Sequence, residues 1–139
     1  MSLPEEQRTA LASTRLKRAR QHLKAVRDLL VNEDFADSIS RSYYAIFQAA
    51  RALLATEQLD SRKHSGVIAL FNRYFVKTAK VDKRLGVVLK DACRSREMAD
   101  YSDVAEFARE DAEGQLQDAE MFVEAVTNLV EEKGESRTT

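Results

Sequence analysis

An arginine, two tyrosines and a glutamine interrupt an apolar helical pattern in the stretch ISRSYYAIFQAARALL, residues 39–54. Arg41, Tyr44 and Gln48 are spaced three and then four residues apart, so at about 100° per residue they form one helical stripe, which Arg51 extends. Core packing does not need these groups, because Leu or Ala would fill the same positions without a desolvation cost. The stripe indicates a ligand-binding surface on which Arg41 is the candidate phosphate stabiliser. The structural alternative is that Arg41 pairs with a carboxylate of the acidic last helix and Tyr44 is a boundary residue.

A second group of candidate ligand-binding residues lies in the connector SRKHSG. Arg62, Lys63 and His64 stand at the expected start of a helix, where unpaired backbone N–H groups also favour an anion. The group indicates a phosphate contact, and a capping or surface role is the alternative. His22, beside the apolar seam of the first helix, is expected to be structural. Cys93 has no second soft ligand nearby and is expected to be a buried structural thiol rather than a metal ligand. We predict no metal site and no cofactor.

The size and composition of the chain predict one all-α domain. A chain of 139 residues can enclose one core, and four Gly and one Pro are too few for a fold rich in tight turns. We expect an antiparallel up-and-down bundle of four to five helices over residues 1–133, followed by a polar tail at 134–139. No apolar run approaches the roughly 18 residues of a membrane span, and the N-terminus does not resemble a signal peptide. A soluble, cytoplasmic protein is therefore expected.

Apolar periodicity places the helices that position the candidate residues. A first helix is predicted at about 5–31, and a second, capped by Asp34, runs to about residue 57. A short third helix follows the connector QLDSRKHSG, and a fourth is predicted at about 82–98. Asp103, with Glu106 three residues later, predicts a capping box for a long last helix. The core positions expected from this pattern are Leu16, Ala19, Leu23, Val26 and Leu30 in the first helix, Ile39, Tyr43, Ile46, Ala50 and Leu53 or Leu54 in the second, Val67, Leu70, Phe71, Tyr74 and Phe75 in the third, and Ala108, Ala112, Ala119, Phe122, Val126 and Leu129 in the last.

Charge is distributed unevenly along the chain, although the formal net charge is only −1. Residues 62–96 are rich in Lys and Arg, whereas residues 97–120 are rich in Asp and Glu. The basic segment could bind the phosphates of a nucleic acid. The two opposite charges could equally attract a second subunit or a partner protein, so charge alone leaves both classes of partner open.

Three stretches of the sequence resemble the HEPN family of small helical-bundle proteins. SRSYYAIFQAARALL, SRKHSGVIALFNRYFVKT and MADYSDVAEFAREDAEGQLQDAEMFVEAV occur in the order found in many stand-alone members, over roughly residues 10–130. The resemblance implies a bundle that forms a homodimer, with the polar motif of both subunits lining a cleft at the interface. Many members are metal-independent ribonucleases, several of them toxins paired with a minimal nucleotidyltransferase antitoxin. Others are thought to bind nucleotides or to act as non-catalytic partners.

This chain departs from the ribonuclease motif of that family, which is an Arg followed after four to six residues by a His. Arg41 fits the first position, but the residue after six intervening positions is Gln48. RNA cleavage without a metal must take a proton from the ribose 2′-hydroxyl and give one to the 5′-oxygen, and an amide cannot do this. Gln48 can still hydrogen-bond a ribose or a base. His64 could take the missing role, although its spacing from Arg41 does not fit the motif.

Three hypotheses follow from these observations. The first is a HEPN homodimer that binds RNA or a nucleotide but cleaves poorly or not at all. The second is an active ribonuclease toxin with a nucleotidyltransferase antitoxin, in which His64 or another group transfers protons. The third is a protein-interaction module whose polar stripe is structural; an Arg41 side chain fully paired with carboxylates of its own chain would support it.

Overall fold

The computed structural model describes the backbone of residues 3–138 and the side chains of residues 3–134. Five α-helices make up this part of the chain, and none of it forms a β-strand, so the predicted all-α class is confirmed. The helices are α1 (Glu5–Val31), α2 (Phe35–Thr56), α3 (His64–Phe71), α4 (Lys83–Tyr101) and α5 (Arg109–Thr138), with a π-helical turn at Asn72–Val76 between α3 and α4.

The second helix, α2, lies at the centre of the bundle and packs against α1, α4 and α5. Its small and apolar side chains explain this position, because they allow close approach of a neighbour on several faces. Every core position that the sequence predicted for α1 and α2 is buried. Asp34 is the residue before α2, as predicted, but its side chain makes no capping hydrogen bond.

The third helix and the π-helical turn close one side of the bundle. Val67, Phe71 and Phe75 are buried in the main core, where the ring centre of Phe71 lies 5.5 Å from that of Phe122 in α5. Tyr74, which the pattern grouped with them, is an exposed side chain. The chain then enters α4 at Asp82, whose carboxylate accepts a hydrogen bond from the backbone N–H of Arg84.

The predicted capping box at the start of α5 is wrong. The helix begins only at Arg109, and Asp111 accepts a hydrogen bond from the backbone N–H of Ala108. The residues before Arg109 stay non-helical, and within them Phe107 packs against a second apolar cluster formed by Val26, Leu30, Ile39 and Ala112. Burial of this ring outweighs the local preference of Asp103 and Glu106 for a helix start. Ala108, predicted to lie in the seam of this helix, is instead exposed before it begins.

Helix α5 extends through most of residues 134–139, which the sequence analysis assigned to a polar tail. The helical backbone continues to Thr138, and Thr139 lies outside the described residues. Within the described part of the chain, no helix combines the length and the apolar character that crossing a bilayer requires.

Candidate functional site

The polar stripe of α2 lies on the flank of the helix that is only partly covered by its neighbours. Arg41 is exposed, and no hydrogen bond or ion pair joins it to any side chain or backbone group of residues 3–134. Tyr44 is half-buried, and so is Gln48, whose Oε1 atom is buried without a hydrogen-bond partner. The self-pairing expected if Arg41 were structural is therefore not observed within the described side chains.

His64 is packed against α2 by the start of α3. Its imidazole stacks on the ring of Phe47 with 4.3 Å between ring centres and 9° between planes. Its Nδ1 lies 2.5 Å from the hydroxyl of Tyr43. Burial raises the pKa of Tyr43, so the phenol keeps its proton and can donate to Nδ1. Donation in that direction leaves Nε2 of His64 available to a ligand.

Arg96 on α4 completes the site, and the sequence analysis missed it. The side chain is almost fully buried, with its guanidinium carbon 5.4 Å from the ring centre of Tyr43 and 5.8 Å from that of Tyr44. It donates hydrogen bonds to Asp100 at 3.3 Å and to the hydroxyl of Tyr101 at 3.4 Å, while its Nε has no partner. A guanidinium over several aromatic faces is held in one orientation, which favours recognition of a planar or anionic group.

The two histidines of the chain both approach Tyr44. The ring centre of His22 lies 6.1 Å from that of Tyr44, and the ring of His64 meets it edge-on at 6.4 Å. The pKa of His64 is lowered by burial and then by the charges of Arg96 and Arg51. Because both histidine pKa values fall below the ordinary value near 6.5, both imidazoles are neutral at pH 7.

His22, which the sequence analysis expects to be structural, is half-buried and shares a charged environment with the stripe. Burial lowers its pKa, and the charges of Arg41 and Arg18 lower it further. The positive charge of Arg41 therefore lowers the pKa of His22. The charges that shift the pKa of His64 are those of other residues, chiefly Arg96 and Arg51. The site has two parts, one near His22 and one near His64, with Tyr44 in contact with both.

Arg51, which extends the stripe in sequence, has a structural partner in Asp60. Its guanidinium contacts the two carboxylate oxygens of Asp60 at 3.2 Å, and the buried Arg15 contacts the same carboxylate at 3.1 Å. Burial favours the neutral acid, but hydrogen bonds from Arg51 and from the backbone N–H of Ser61, with the charge of Arg15, lower the pKa of Asp60. This carboxylate ties the connector before His64 to α1 and α2.

The remaining two predicted site residues, Arg62 and Lys63, are exposed in the same connector. The backbone N–H of Lys63 donates to the hydroxyl of Ser61 at 3.2 Å, but neither the Arg62 nor the Lys63 side chain forms a hydrogen bond or an ion pair within residues 3–134. The connector folds tightly over the first turn of α3, since a Cβ on Gly66 would stand 2.0 Å from the hydroxyl oxygen of Ser61. The structure thus brings Tyr44 and His64 together and leaves Arg62 and Lys63 at the surface.

The arrangement suits a ligand that carries both phosphate and aromatic groups. Neutral imidazoles and an oriented guanidinium can bind phosphate oxygens, and the half-buried ring of Tyr44 can stack a base. Cys93 is half-buried beside Tyr43 and forms no disulfide. In the described part of the chain, no group of three or more His, Cys, Asp or Glu side chains could hold a metal ion.

Comparison with known proteins gives a consistent match over most of the chain. The model of the HEPN domain family matches residues 12–131. A UPF0332 protein of Thermotoga maritima is 40% identical over 116 residues, which are 84% of this chain and 88% of that protein.

Two proteins of Methanocaldococcus jannaschii are also similar to this chain. The one named "Putative toxin MJ0605" is 36% identical over 82% of this chain and 84% of its own length. The one named "Putative toxin MJ0142" is 33% identical over 78% of this chain and 74% of its own length.

Proposed function

This chain belongs to the HEPN family, and we propose that it is a homodimeric member that binds RNA or a nucleotide and cleaves RNA poorly or not at all. The binding surface is the Tyr44 site, which we define as Arg41, Tyr44, Gln48, His64 and Arg96. The proposal rests chiefly on one observation. His64 and Arg96 converge on the ring of Tyr44 from two different helices.

Each component of the Tyr44 site has a role in this proposal. Arg41 and Arg96 bind phosphate oxygens, and Arg41 is the side chain most accessible for this. Tyr44 stacks against a base, and His64 donates from Nε2 to a phosphate or a ribose hydroxyl. Gln48 supplies an amide whose buried Oε1 lacks a partner and can accept a hydrogen bond from a ligand.

Poor cleavage is proposed because a glutamine stands where the family's motif has a histidine. The amide of Gln48 cannot exchange a proton near neutral pH, so it cannot serve as the acid or base that cleavage of the phosphodiester requires. Arg41 can still stabilise negative charge at phosphorus. The expected behaviour is therefore binding without efficient turnover.

The homodimer is supported by apolar side chains on one exposed face of α4. Val87, Met98 and Tyr101 are 57%, 48% and 75% exposed, and their spacing aligns them along the helix. Val104 in the following segment is 89% exposed. An exposed apolar face of this kind is typical of a subunit interface. Sedimentation velocity should show a dimer at micromolar concentration, and a species that remains monomeric there would contradict this part of the proposal.

Binding can be tested with an exposed charge whose removal leaves the core unchanged. Arg41→Ala should weaken the binding of a fluorescent single-stranded RNA at least about fivefold, because it removes a charged hydrogen bond to phosphate. Stability should change by less than about 1 kcal/mol, since the side chain is exposed. Arg20→Ala is the control, because Arg20 is an exposed arginine of α1 that lines a cavity toward α5, away from the proposed dimer face. Equal loss of affinity in both variants, or no binding by the unmodified protein, would refute the proposed function.

An active ribonuclease toxin is the second candidate, and the position of His64 favours it. A neutral imidazole with Nε2 unoccupied could transfer protons during cleavage, and two similar proteins carry the word toxin in their names. This function would also call for a nucleotidyltransferase antitoxin as a partner. Cleavage of RNA in the presence of EDTA, lost in His64→Ala but retained in the control Arg20→Ala, would establish it. Absence of cleavage would leave binding as the function.

A further inference from the structure

A second polar cluster lies beside Tyr44. It is formed by the charged side chains of Arg18 and Arg41 and the neutral imidazole of His22, and we call it the Arg18 cluster. Arg18 and His22 are four residues apart and so lie on one face of α1. The ring of His22 is tilted 35° to that of Tyr44 at 6.1 Å between centres. Arg18 and Arg41 are both exposed, and within residues 3–134 neither forms a hydrogen bond or an ion pair. These charges are not committed to the fold.

The Arg18 cluster and the pair His64 and Arg96 approach Tyr44 from different helices. Helices α1 and α3 do not contact each other in the described structure, although His22 of α1 and His64 of α3 both contact the ring of Tyr44. The two groups therefore share the ring of Tyr44 and approach it from different helices.

A polynucleotide can reach both groups at once, because it carries more than one phosphate. The two imidazole rings lie 6.1 and 6.4 Å from the centre of the Tyr44 ring. A nucleic acid strand carries one charge per about 3.4 Å even in a compact helix, so these distances limit the separation of the two imidazoles to the length of at most about four nucleotides. A base between the two phosphates would lie against Tyr44, where aromatic stacking stabilises it.

We propose that the Arg18 cluster is a second phosphate subsite, so that the ligand is single-stranded RNA of at least about three nucleotides. This inference rests on the proposed function and extends it from a mononucleotide or RNA to RNA alone. One phosphate is bound by His64 and Arg96, a second by Arg18 and Arg41, and a base between them stacks on Tyr44. His22 donates a hydrogen bond to the second phosphate.

Length dependence of binding tests the second subsite. The probes are 5′-AMP, as a competitor, and a fluorescein-labelled RNA hexanucleotide. Arg18→Ala should weaken the hexanucleotide about tenfold and change the affinity for 5′-AMP less than about twofold. The dependence of hexanucleotide affinity on salt should also fall by about 0.7 in log–log slope, as expected for the loss of one phosphate contact with a single strand.

Arg20→Ala is the matched control for Arg18→Ala. It removes the same charge from the same helix, but Arg20 faces a separate cavity toward α5, lined by Arg27 and Glu120. The control should bind both probes as the unmodified protein does. Equal weakening by the two substitutions would show that only net charge matters and would overturn the second subsite.

The failure of this inference can be told from the failure of the proposed function. If Arg41→Ala weakens hexanucleotide binding but Arg18→Ala does not, the Tyr44 site binds RNA and the second subsite is refuted. If 5′-AMP and the hexanucleotide bind with equal affinity, the ligand is a mononucleotide and the inference is refuted in the same way. If the unmodified protein binds neither probe, both the function and the second subsite are wrong.

Discussion

Replacing Asp60 with Asn should both destabilise the protein and change the environment of His64. The carboxylate of Asp60 contacts Arg15 on α1 and Arg51 on α2, and it also accepts the backbone N–H of Ser61. An asparagine keeps the shape and one acceptor oxygen but loses the charge. The connector that leads to His64 would then be held by neutral hydrogen bonds only, and two neighbouring guanidinium groups would lose their shared counter-ion.

The size of the effect follows from how far each pair is exposed. The side chains of Asp60 and Arg51 are 50% and 25% exposed, so water and salt screen that pair and it contributes at most about 1 kcal/mol. The side chain of Arg15 is only 8% exposed, so the loss of its counter-ion costs more. We expect the free energy of unfolding to fall by about 1–2 kcal/mol, which corresponds to a Tm lower by about 3–8 °C for a chain of this size.

Urea unfolding and histidine NMR together test the role of Asp60. The stability difference should be largest at neutral pH. The pKa of Asp60 is lowered by folding, so its contribution is present above the ordinary carboxyl pKa and is lost as the pH falls through the lower folded value. The pKa of His64 should move toward its ordinary value in the variant, because a looser connector exposes the ring. Asp28→Asn, which changes an exposed carboxylate of α1, is the control. Unchanged stability and an unchanged His64 pKa in Asp60→Asn would refute the idea that this carboxylate positions the connector.

Three further predictions concern the site and its surroundings. Gln48→His should raise metal-independent RNA cleavage, with a pH profile that reports an imidazole; no gain in cleavage would show that the family's catalytic geometry is absent around α2. Lowering the pH from about 7.5 to about 5.5 should strengthen RNA binding, because His22 and His64 gain charge beside the phosphates. The same change should destabilise the free protein, because the pKa values of His22 and His64 are lower in the folded state than in the unfolded chain. Titration calorimetry measures the binding and thermal unfolding measures the stability. If both rose or both fell at low pH, the result would contradict the reasoning. Gly66→Ala should lower the Tm, because its Cβ would overlap the hydroxyl of Ser61, and an unchanged Tm would mean that the connector adapts freely.

The helices could be predicted from the sequence because apolar periodicity is a local signal. Leu16, Leu23 and Leu30 recur at helical spacing, and burial on α2 follows the same rule. The start of α5 could not be predicted in this way. Asp103 and Glu106 have the sequence of a capping box, but the packing of Phe107 against a distant cluster decides where the helix begins.

The site was only partly predictable because its contacts join residues that are far apart in sequence. The stripe of Arg41, Tyr44 and Gln48 follows from the period of one helix. The contact between His64 and Tyr43 depends on how α3 docks, and no local pattern specifies it. Arg96 was missed for the same reason. The only local sign was the spacing to Asp100 four residues later, which by itself indicates an ordinary surface ion pair.

The most direct measurement of the central claim is an NMR titration of the protein with a short single-stranded RNA. The claim predicts that the largest shifts fall on the side chains of Tyr44 and His64 and on the backbone of Arg41. Resonances around Arg20, which lines a cavity between α1 and α5, should change little. Shifts that map to α5 or to the exposed face of α4 instead, or saturating RNA that leaves the Tyr44 and His64 resonances in place, would contradict the claim that this surface binds RNA.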